Sequence, residues 1–265
     1  MSSTLSYHYQ PLESGEIRLL QLLPRNQHIQ NDPIRFHIVH TSLSRCQSAD
    51  SFFAYEALSY VWGGDRTVPV YCDDREILVT PNLLAALFRL RECMPKCPSF
   101  HRTLWVDAIC INQNDVVERG HQVRLMRDIF SLAKRVVVWL GSSRQVENCL
   151  TEIKKGPLVP KDIDQRLQAK YRAEWGMYIA RIFDQPWFQR VWVIQEVVFA
   201  AKVIVLGVTT SIKWRQLVDA AVFVKVNTQV TALQKIRCDP VLGIECLRHQ
   251  IQTDTDAESN GKGRK

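Results

Sequence analysis

The order of strand and helix between residues 103 and 140 restricts the fold of this chain most. A short apolar run, 103–108 (TLWVDA), precedes a helix predicted from 116 to about 133, and a second apolar run, 135–140 (RVVVWL), follows it. Asp115 and Glu118 resemble a capping box at the start of that helix. Because a strand–helix–strand unit joins parallel strands through a right-handed crossover, this segment predicts an α/β protein with a parallel sheet.

The other segments predict flanking helices and extra strands near the N-terminus. A hairpin is predicted around Asp73 and Asp74, and Thr80 followed by Pro81 is typical of a helix start. The further predicted strands are 17–23, 34–41, 55–60, 68–72, 76–79 and 203–206, and the further helices are 81–92, 171–182 and about 211–225. The stretch 142–166 is interpreted as a polar insertion. Residues 187–200 fit a strand by their valines but a helix by their length.

Composition excludes several classes of protein. The chain of 265 residues is 46% hydrophobic and 23% charged, which is typical of a globular protein with a substantial core. Its 34 Lys and Arg against 27 Asp and Glu give a net charge of +7, but the basic residues are spread along the chain, whereas nucleic-acid binders cluster them. The most apolar stretch, 191–208, contains Gln195, Glu196 and Lys202. We therefore expect neither a nucleic-acid partner nor a membrane span.

The cysteines predict a reducing compartment rather than a metal centre. Eight cysteines in a chain whose start lacks the pattern of a secretory signal predict reduced thiols and a cytosolic or nuclear location, of which we favour the cytoplasm. Cys93, Cys97, His101 and Cys110 are zinc-ligand types, but their spacing is not that of a common zinc module, so no metal is expected. Cys110 and His121 form a weak candidate thiol–imidazole pair, because nothing marks a third, orienting group.

Several features fall where the predicted parallel strands end, which is where open α/β sheets bind their ligands. They are 62–64 (Trp-Gly-Gly), Asp107, 112–114 (Asn-Gln-Asn), and the pair Trp192 and Glu196. The chain has no P-loop, no dinucleotide-binding glycine motif, no nucleophile elbow and no zinc-protease motif. No resident cofactor is therefore expected.

Glu196 has two interpretations that the residues alone leave open. If 187–200 is helical, Trp192 and Glu196 lie four residues apart and share a face. An acidic side chain in so apolar a run (VWVIQEVVF) must be paired, solvated or functional. It is either the partner of an arginine, with Arg190 and Arg181 as candidates, or a catalytic carboxylate.

Three sequence blocks resemble the signature of the fungal heterokaryon incompatibility (HET) domain. They are 55–63 (YEALSYVWG), 104–113 (LWVDAICINQ) and 187–196 (WFQRVWVIQE), within a similarity that covers roughly residues 16–217. The resemblance implies a role in self/non-self recognition after hyphal fusion, and in the cell death that follows. It also implies three regions: an N-terminal extension (1–15), the HET domain (16–225), and a divergent C-terminal segment (226–265) whose end, 252–265, is expected to be a disordered tail.

A more distant resemblance concerns mechanism. The order of the strands and the spacing of Trp192 and Glu196 are similar to those of Toll/interleukin-1 receptor (TIR) domains, which implies a TIR-like, flavodoxin-like fold with a mostly parallel sheet flanked by helices and with N-terminal β-strand additions. In TIR enzymes that cleave NAD, a glutamate at this place is the catalytic carboxylate. The match implies Glu196 as that residue and NAD as the substrate. The residues then expected to bind substrate are Ser59, Tyr60, Trp62, Gly63, Asp107, Asn112, Gln113 and Trp192.

The alternative is a module that signals without catalysis. Its expected partners are a second copy of the chain and other incompatibility or death-signalling proteins. A truncated, inactive relative of such a module is a further alternative. The environment of Glu196 distinguishes the two mechanisms: an enzyme needs this side chain partly solvated, in a pocket shared with residues 62–63 and 112–113. A packed Glu196 in a bidentate arginine pair favours the interaction module.

Overall fold

The computed structural model describes residues 5–46, 53–94, 100–157, 164–227 and 238–261, and they form an α/β fold. The strands are β1 (Glu16–Leu22), β2 (Arg35–Ser42), β3 (Glu56–Tyr60), β4 (Val68–Cys72), β5 (Arg75–Val79), β6 (Arg102–Trp105), β7 (Arg135–Trp139), β8 (Val203–Leu206) and β9 (Ser211–Lys213). The helices are α1 (Pro81–Glu92), α2 (Asp107–Cys110), α3 (Val116–Leu132), α4 (Arg144–Lys155), α5 (Gln165–Ala180), α6 (Val193–Val198), α7 (Trp214–Asn227) and α8 (Asp239–Gly261). Short 3-10 helices lie at Leu43–Cys46, Arg181–Asp184 and Pro186–Gln189.

The nine described strands form one mixed sheet in the order β5-β4-β2-β1-β6-β3-β7-β8-β9. The four neighbouring strands β6, β3, β7 and β8 are parallel to one another. The α/β class is therefore confirmed, as are the N-terminal strand additions, but the prediction of a mostly parallel sheet is wrong. Antiparallel pairings of β1 with β2 and with β6, of β4 with β5, and of β8 with β9 balance the parallel ones.

The predicted strand–helix–strand unit is present, with β3 inserted between its strands. β6 leads through α2 and α3 to β7, and β3 pairs with both strands. The residues of β3 are all buried, as expected for a central strand that is covered on both faces. The carboxyl ends of β6, β3, β7 and β8 therefore meet along one edge of the sheet.

The structure corrects several predictions in the second half of the chain. The supposed polar insertion contains α4, whose buried residues Val146, Cys149, Leu150 and Ile153 have the spacing of an amphipathic helix. The ambiguous stretch 187–200 forms the end of a 3-10 helix and then α6. The helix predicted over about 211–225 begins later, at Trp214, because Ser211–Lys213 form β9.

The C-terminal segment also differs from the prediction. α8 continues through Gly261, across ten of the residues expected to be a disordered tail, so these polar residues extend the helix that begins at Asp239. Residues 262–265 lie outside the described part of the chain. The three domain boundaries given above stay predictions.

A buried arginine ties the N-terminal segment to the rest of the fold. Arg18 on β1 is fully buried and forms a bidentate pair with Glu118 on α3, at 2.6 and 2.9 Å. The same guanidinium donates to the backbone oxygens of Cys110 and Gln10. A charge that is buried away from water needs such partners. Through these contacts, Arg18 connects the sheet, α2, α3 and the chain before β1.

Removal of one partner of this pair tests its contribution to stability. Glu118→Ala leaves the Arg18 charge buried and unpaired, so we expect a loss of about 3–5 kcal/mol in the free energy of unfolding. The double variant Arg18→Met/Glu118→Ala removes both charges and should lose less than the sum of the single changes Arg18→Met and Glu118→Ala. Urea unfolding of all four proteins measures the coupling, and additive losses would contradict it.

Candidate functional site

Trp62 and Asp107 meet at the carboxyl edge of the parallel strands. Trp62 follows β3, and Asp107 begins α2 directly after β6. The indole Nε1 of Trp62 donates to Oδ2 of Asp107 at 2.8 Å, and the backbone N–H of Ala108 donates to Oδ1 at 2.7 Å. The side chain of Gln113 donates to the backbone oxygen of Asp107 at 2.8 Å. The structure thus brings three of the predicted site residues together.

Glu196 lies beside this pair, at the centre of a buried polar network. Arg190 forms a bidentate pair with it, through contacts of 2.9 and 3.3 Å. Ser59, on β3, donates to Oε2 of Glu196 and accepts from the indole Nε1 of Trp187 at 2.8 Å. Glu196 is only 2% exposed. Of the two arginines considered from the sequence, Arg190 is its partner.

The two carboxylates affect each other electrostatically. Burial raises the pKa of Glu196, and the Asp107 carboxylate raises it further, while Arg190 and Ser59 oppose this shift. Burial also raises the pKa of Asp107, against hydrogen bonds from Trp62 and Ala108 and the charge of Arg190. One arginine therefore compensates two acidic side chains. Neighbouring carboxylates with raised pKa values are typical of functional sites, although structural networks produce them too.

Tyr60 adds a buried hydroxyl to the same edge. Burial raises the pKa of Tyr60 well above its ordinary value, and the charge of Asp107 and a hydrogen bond with its side chain raise it further. The hydroxyl is therefore protonated and donates toward the Asp107 carboxylate, and this contact lowers the pKa of Asp107. Tyr60 thus belongs to the group of polar side chains around Asp107.

Other predicted site residues are exposed or line a different cavity. Trp192 is 47% exposed, and Gly63 is exposed in the turn after β3. Asn112 lines a cavity of about 630 Å³ that lies between α3 and residues 9–15. Ser59, Trp62 and Glu196 do not line this cavity. Glu196 and Asn112 therefore do not share that pocket.

The candidate thiol Cys110 is not activated as a nucleophile in this structure. Cys110 is fully buried, and burial raises the pKa of its thiol to about 12, so it is not a thiolate near neutral pH. Among the residues that the structure describes, no three His, Cys, Asp or Glu side chains are placed to hold a metal ion. Cys97 lies outside the described residues.

Comparison with known proteins identifies the family. The family model of the heterokaryon incompatibility protein (HET) matches residues 55–196, which contain Ser59, Asp107, Arg190 and Glu196. The chain belongs to the HET family. A curated protein from Neurospora crassa, heterokaryon incompatibility protein 6, OR allele, is 34% identical over 191 residues. This match covers 57% of the present chain but only 28% of the Neurospora protein.

Structural comparison adds no relative, since no solved structure significantly matches the chain. No helix within the described residues combines the length and the apolar character needed to cross a membrane.

The HET domain contains a connecting residue that the sequence analysis missed. Asn82, in the first turn of α1, donates to the backbone oxygen of Val61 at 2.6 Å and accepts from the indole of Trp139 at 2.9 Å. It thereby holds the turn after β3 against the end of β7. The sequence feature that indicates such a role is a polar residue directly after Pro81, at the start of a helix predicted to follow a strand.

Glu196→Gln tests the charge balance of the HET domain through the pH dependence of stability. Because burial raises the folded-state pKa of Glu196 above its ordinary value of 4.5, the folded chain binds more protons than the unfolded chain between these two values. Across this window the wild type loses stability as pH rises and regains it as pH falls. Relative to Glu196→Gln, we therefore expect the wild type to gain unfolding free energy in urea as the pH is lowered from neutral towards 4.5.

The comparison with the variant cancels the contributions of other acidic groups, such as Glu118, whose pKa is lowered. A relative loss of wild-type stability on acidification would contradict the prediction. Such a loss would mean that the charge of Arg190 lowers the pKa of Glu196 by more than burial raises it.

Proposed function

We propose that this chain acts in fungal heterokaryon incompatibility, as a cytoplasmic HET module that triggers cell death after contact with a non-self partner. The observation that carries the proposal is the HET match over residues 55–196. Similarity to a Neurospora protein named for heterokaryon incompatibility supports it. Because the match covers a small part of that protein, its remaining length is not a guide to this chain.

Within this role, the geometry favours assembly with partner proteins over catalysis. Glu196 is almost fully buried, and its two oxygens are occupied by Arg190 and Ser59. A carboxylate in this state does not reach a substrate. The expected partners are a second copy of the chain or another incompatibility or death-signalling protein.

Exposed apolar side chains next to this pair support assembly. Val191, Trp192 and Ile194 are 77%, 47% and 43% exposed, within four consecutive positions. Large apolar side chains grouped at a surface are typical of protein interfaces, and tryptophan often contributes much of the binding energy.

NAD cleavage is the second candidate function, and one observation favours it. Five of the expected site residues lie at the carboxyl edge of the parallel strands, where ligand sites in α/β folds lie. They are Ser59, Tyr60, Trp62, Asp107 and Glu196. Cleavage of the nicotinamide–ribose bond develops positive charge on the ribose and releases a neutral leaving group, so a carboxylate would stabilise its transition state. In this TIR-like mechanism Glu196 must first be uncovered.

Inducible expression in a filamentous fungus tests the role and separates the two mechanisms. We expect the wild-type chain to kill hyphae, as measured by uptake of a vital dye. Trp192→Ser should reduce killing at least about tenfold by weakening partner contacts, as expected for a central interface tryptophan. Val222→Ser is the matched control, because Val222 on α7 is 46% exposed and lies outside the exposed group at 191–194.

Killing by the same fungal strains, together with nicotinamide release by the purified proteins, distinguishes assembly from catalysis. If Glu196→Gln is folded and still kills while Trp192→Ser does not, assembly is supported. Nicotinamide release from NAD by the wild type, lost in folded Glu196→Gln, would instead favour catalysis. Survival of hyphae that express the wild type at a high level would contradict the proposed role.

A further inference from the structure

Part of the segment 190–196 has an inverted polarity. The charged side chains of Arg190 and Glu196 are 23% and 3% exposed, whereas the apolar Val191 between them is 77% exposed as a residue. Solvation favours the opposite arrangement, because charges lose hydration on burial and apolar surface gains from it. Val193 packs into the hydrophobic core in the usual way, so it is the arrangement of Arg190 and Glu196 that depends on specific polar contacts.

Polar contacts hold both ends of this segment, and Arg248 donates to the backbone oxygens of Val197 and Val198 just beyond it. The bidentate pair of Arg190 with Glu196 closes the segment on itself, and Ser59 anchors Glu196 to β3. Between them, single backbone bonds join Ile194 to Val191 at 3.2 Å and Glu196 to Trp192 at 3.1 Å. α6 has only six residues, and Trp192 provides no side-chain cap at its start. Short helices without caps are marginal on their own.

The groups beneath this segment are polar. Ser59 and Tyr60 end β3, and the Tyr60 hydroxyl interacts with the Asp107 side chain. Asp107 lies close enough to affect Glu196 electrostatically. The segment therefore covers a group of polar side chains at the edge where α/β sheets bind their ligands.

We propose that residues 190–196 form a latch, closed in this structure by the Arg190–Glu196 pair, whose opening presents Glu196, Ser59 and the Tyr60 hydroxyl to solvent. This autoinhibitory contact deepens the second candidate function, on whose site it rests. Opening returns the charged side chains of Arg190 and Glu196 to water. The exposed Val191, Trp192 and Ile194 are the part of the latch on which an external contact acts first.

Hydrogen exchange of the purified chain, followed by mass spectrometry, tests the latch without a substrate or a partner. In Arg190→Ala we expect amides of residues 190–198 to exchange at least about tenfold faster than in the wild type, while those of β7 keep their rates. Arg135→Ala is the matched control: it removes an arginine at the other end of β3, where Glu56 keeps Arg102 as a partner. This control should leave exchange at 190–198 unchanged.

Two outcomes would overturn the latch. Unchanged exchange at 190–198 would mean that Arg190 does not hold the segment, and an equal increase in β7 would mean that it stabilises the whole fold. If Arg190→Ala does not fold, wild-type exchange in increasing sub-denaturing urea replaces it: residues 190–198 should open at a lower urea concentration than β7. Simultaneous opening of both would also overturn the proposal.

Nicotinamide release from NAD, measured on the same samples, separates the latch from the reaction. Local opening in Arg190→Ala with release above the wild-type level supports both. Local opening without nicotinamide release from any form supports the latch and contradicts NAD cleavage. Release that is equal in the wild type and Arg190→Ala, without local opening, supports the reaction and overturns the latch.

Discussion

The burial of β3 is the constraint on which the rest of this fold depends. All five residues of the strand are buried, and two of them, Glu56 and Ser59, are polar. Each must find partners away from bulk water. Glu56 pairs with Arg102 and Arg135 from the two strands beside it, and Ser59 binds Glu196 and Trp187 at the opposite end. The neighbours of β3 thus satisfy its polar groups as well as its backbone.

The two ends of β3 differ in their charge balance. At the amino end two arginines compensate one carboxylate, that of Glu56. At the carboxyl end one arginine, Arg190, faces the carboxylates of Glu196 and Asp107, and burial raises the pKa of both. Compensated charge fixes a structure, whereas uncompensated buried charge costs stability and persists where it has a use. This imbalance supports the proposal that the carboxyl edge is the functional end of the HET domain.

Local pattern predicted most elements of this fold but not their arrangement. Periodicity and caps identified α1, α3 and most of the strands, because these signals lie within a few residues. The insertion of β3 between β6 and β7 depends on pairing between distant segments, which periodicity does not contain. α4 was missed although its apolar spacing is regular, because its polar residues dominate its composition. The Glu196–Arg190 pair was among the alternatives, but the links through Ser59, Trp187 and Asn82 join parts of the chain that only the fold brings together.

The inverted polarity of residues 190–196 is the feature that stability explains least. A fold selected for stability alone would bury Val191 and Trp192 and expose Arg190 and Glu196. Here the reverse arrangement occurs at the edge where the carboxylates of Glu196 and Asp107 and the Tyr60 hydroxyl meet. In the two proposed mechanisms, assembly uses the exposed apolar side chains and catalysis needs the buried carboxylate. Both proposals therefore depend on this one segment, because a partner bound to its outer face would act on the Arg190–Glu196 pair at its inner face.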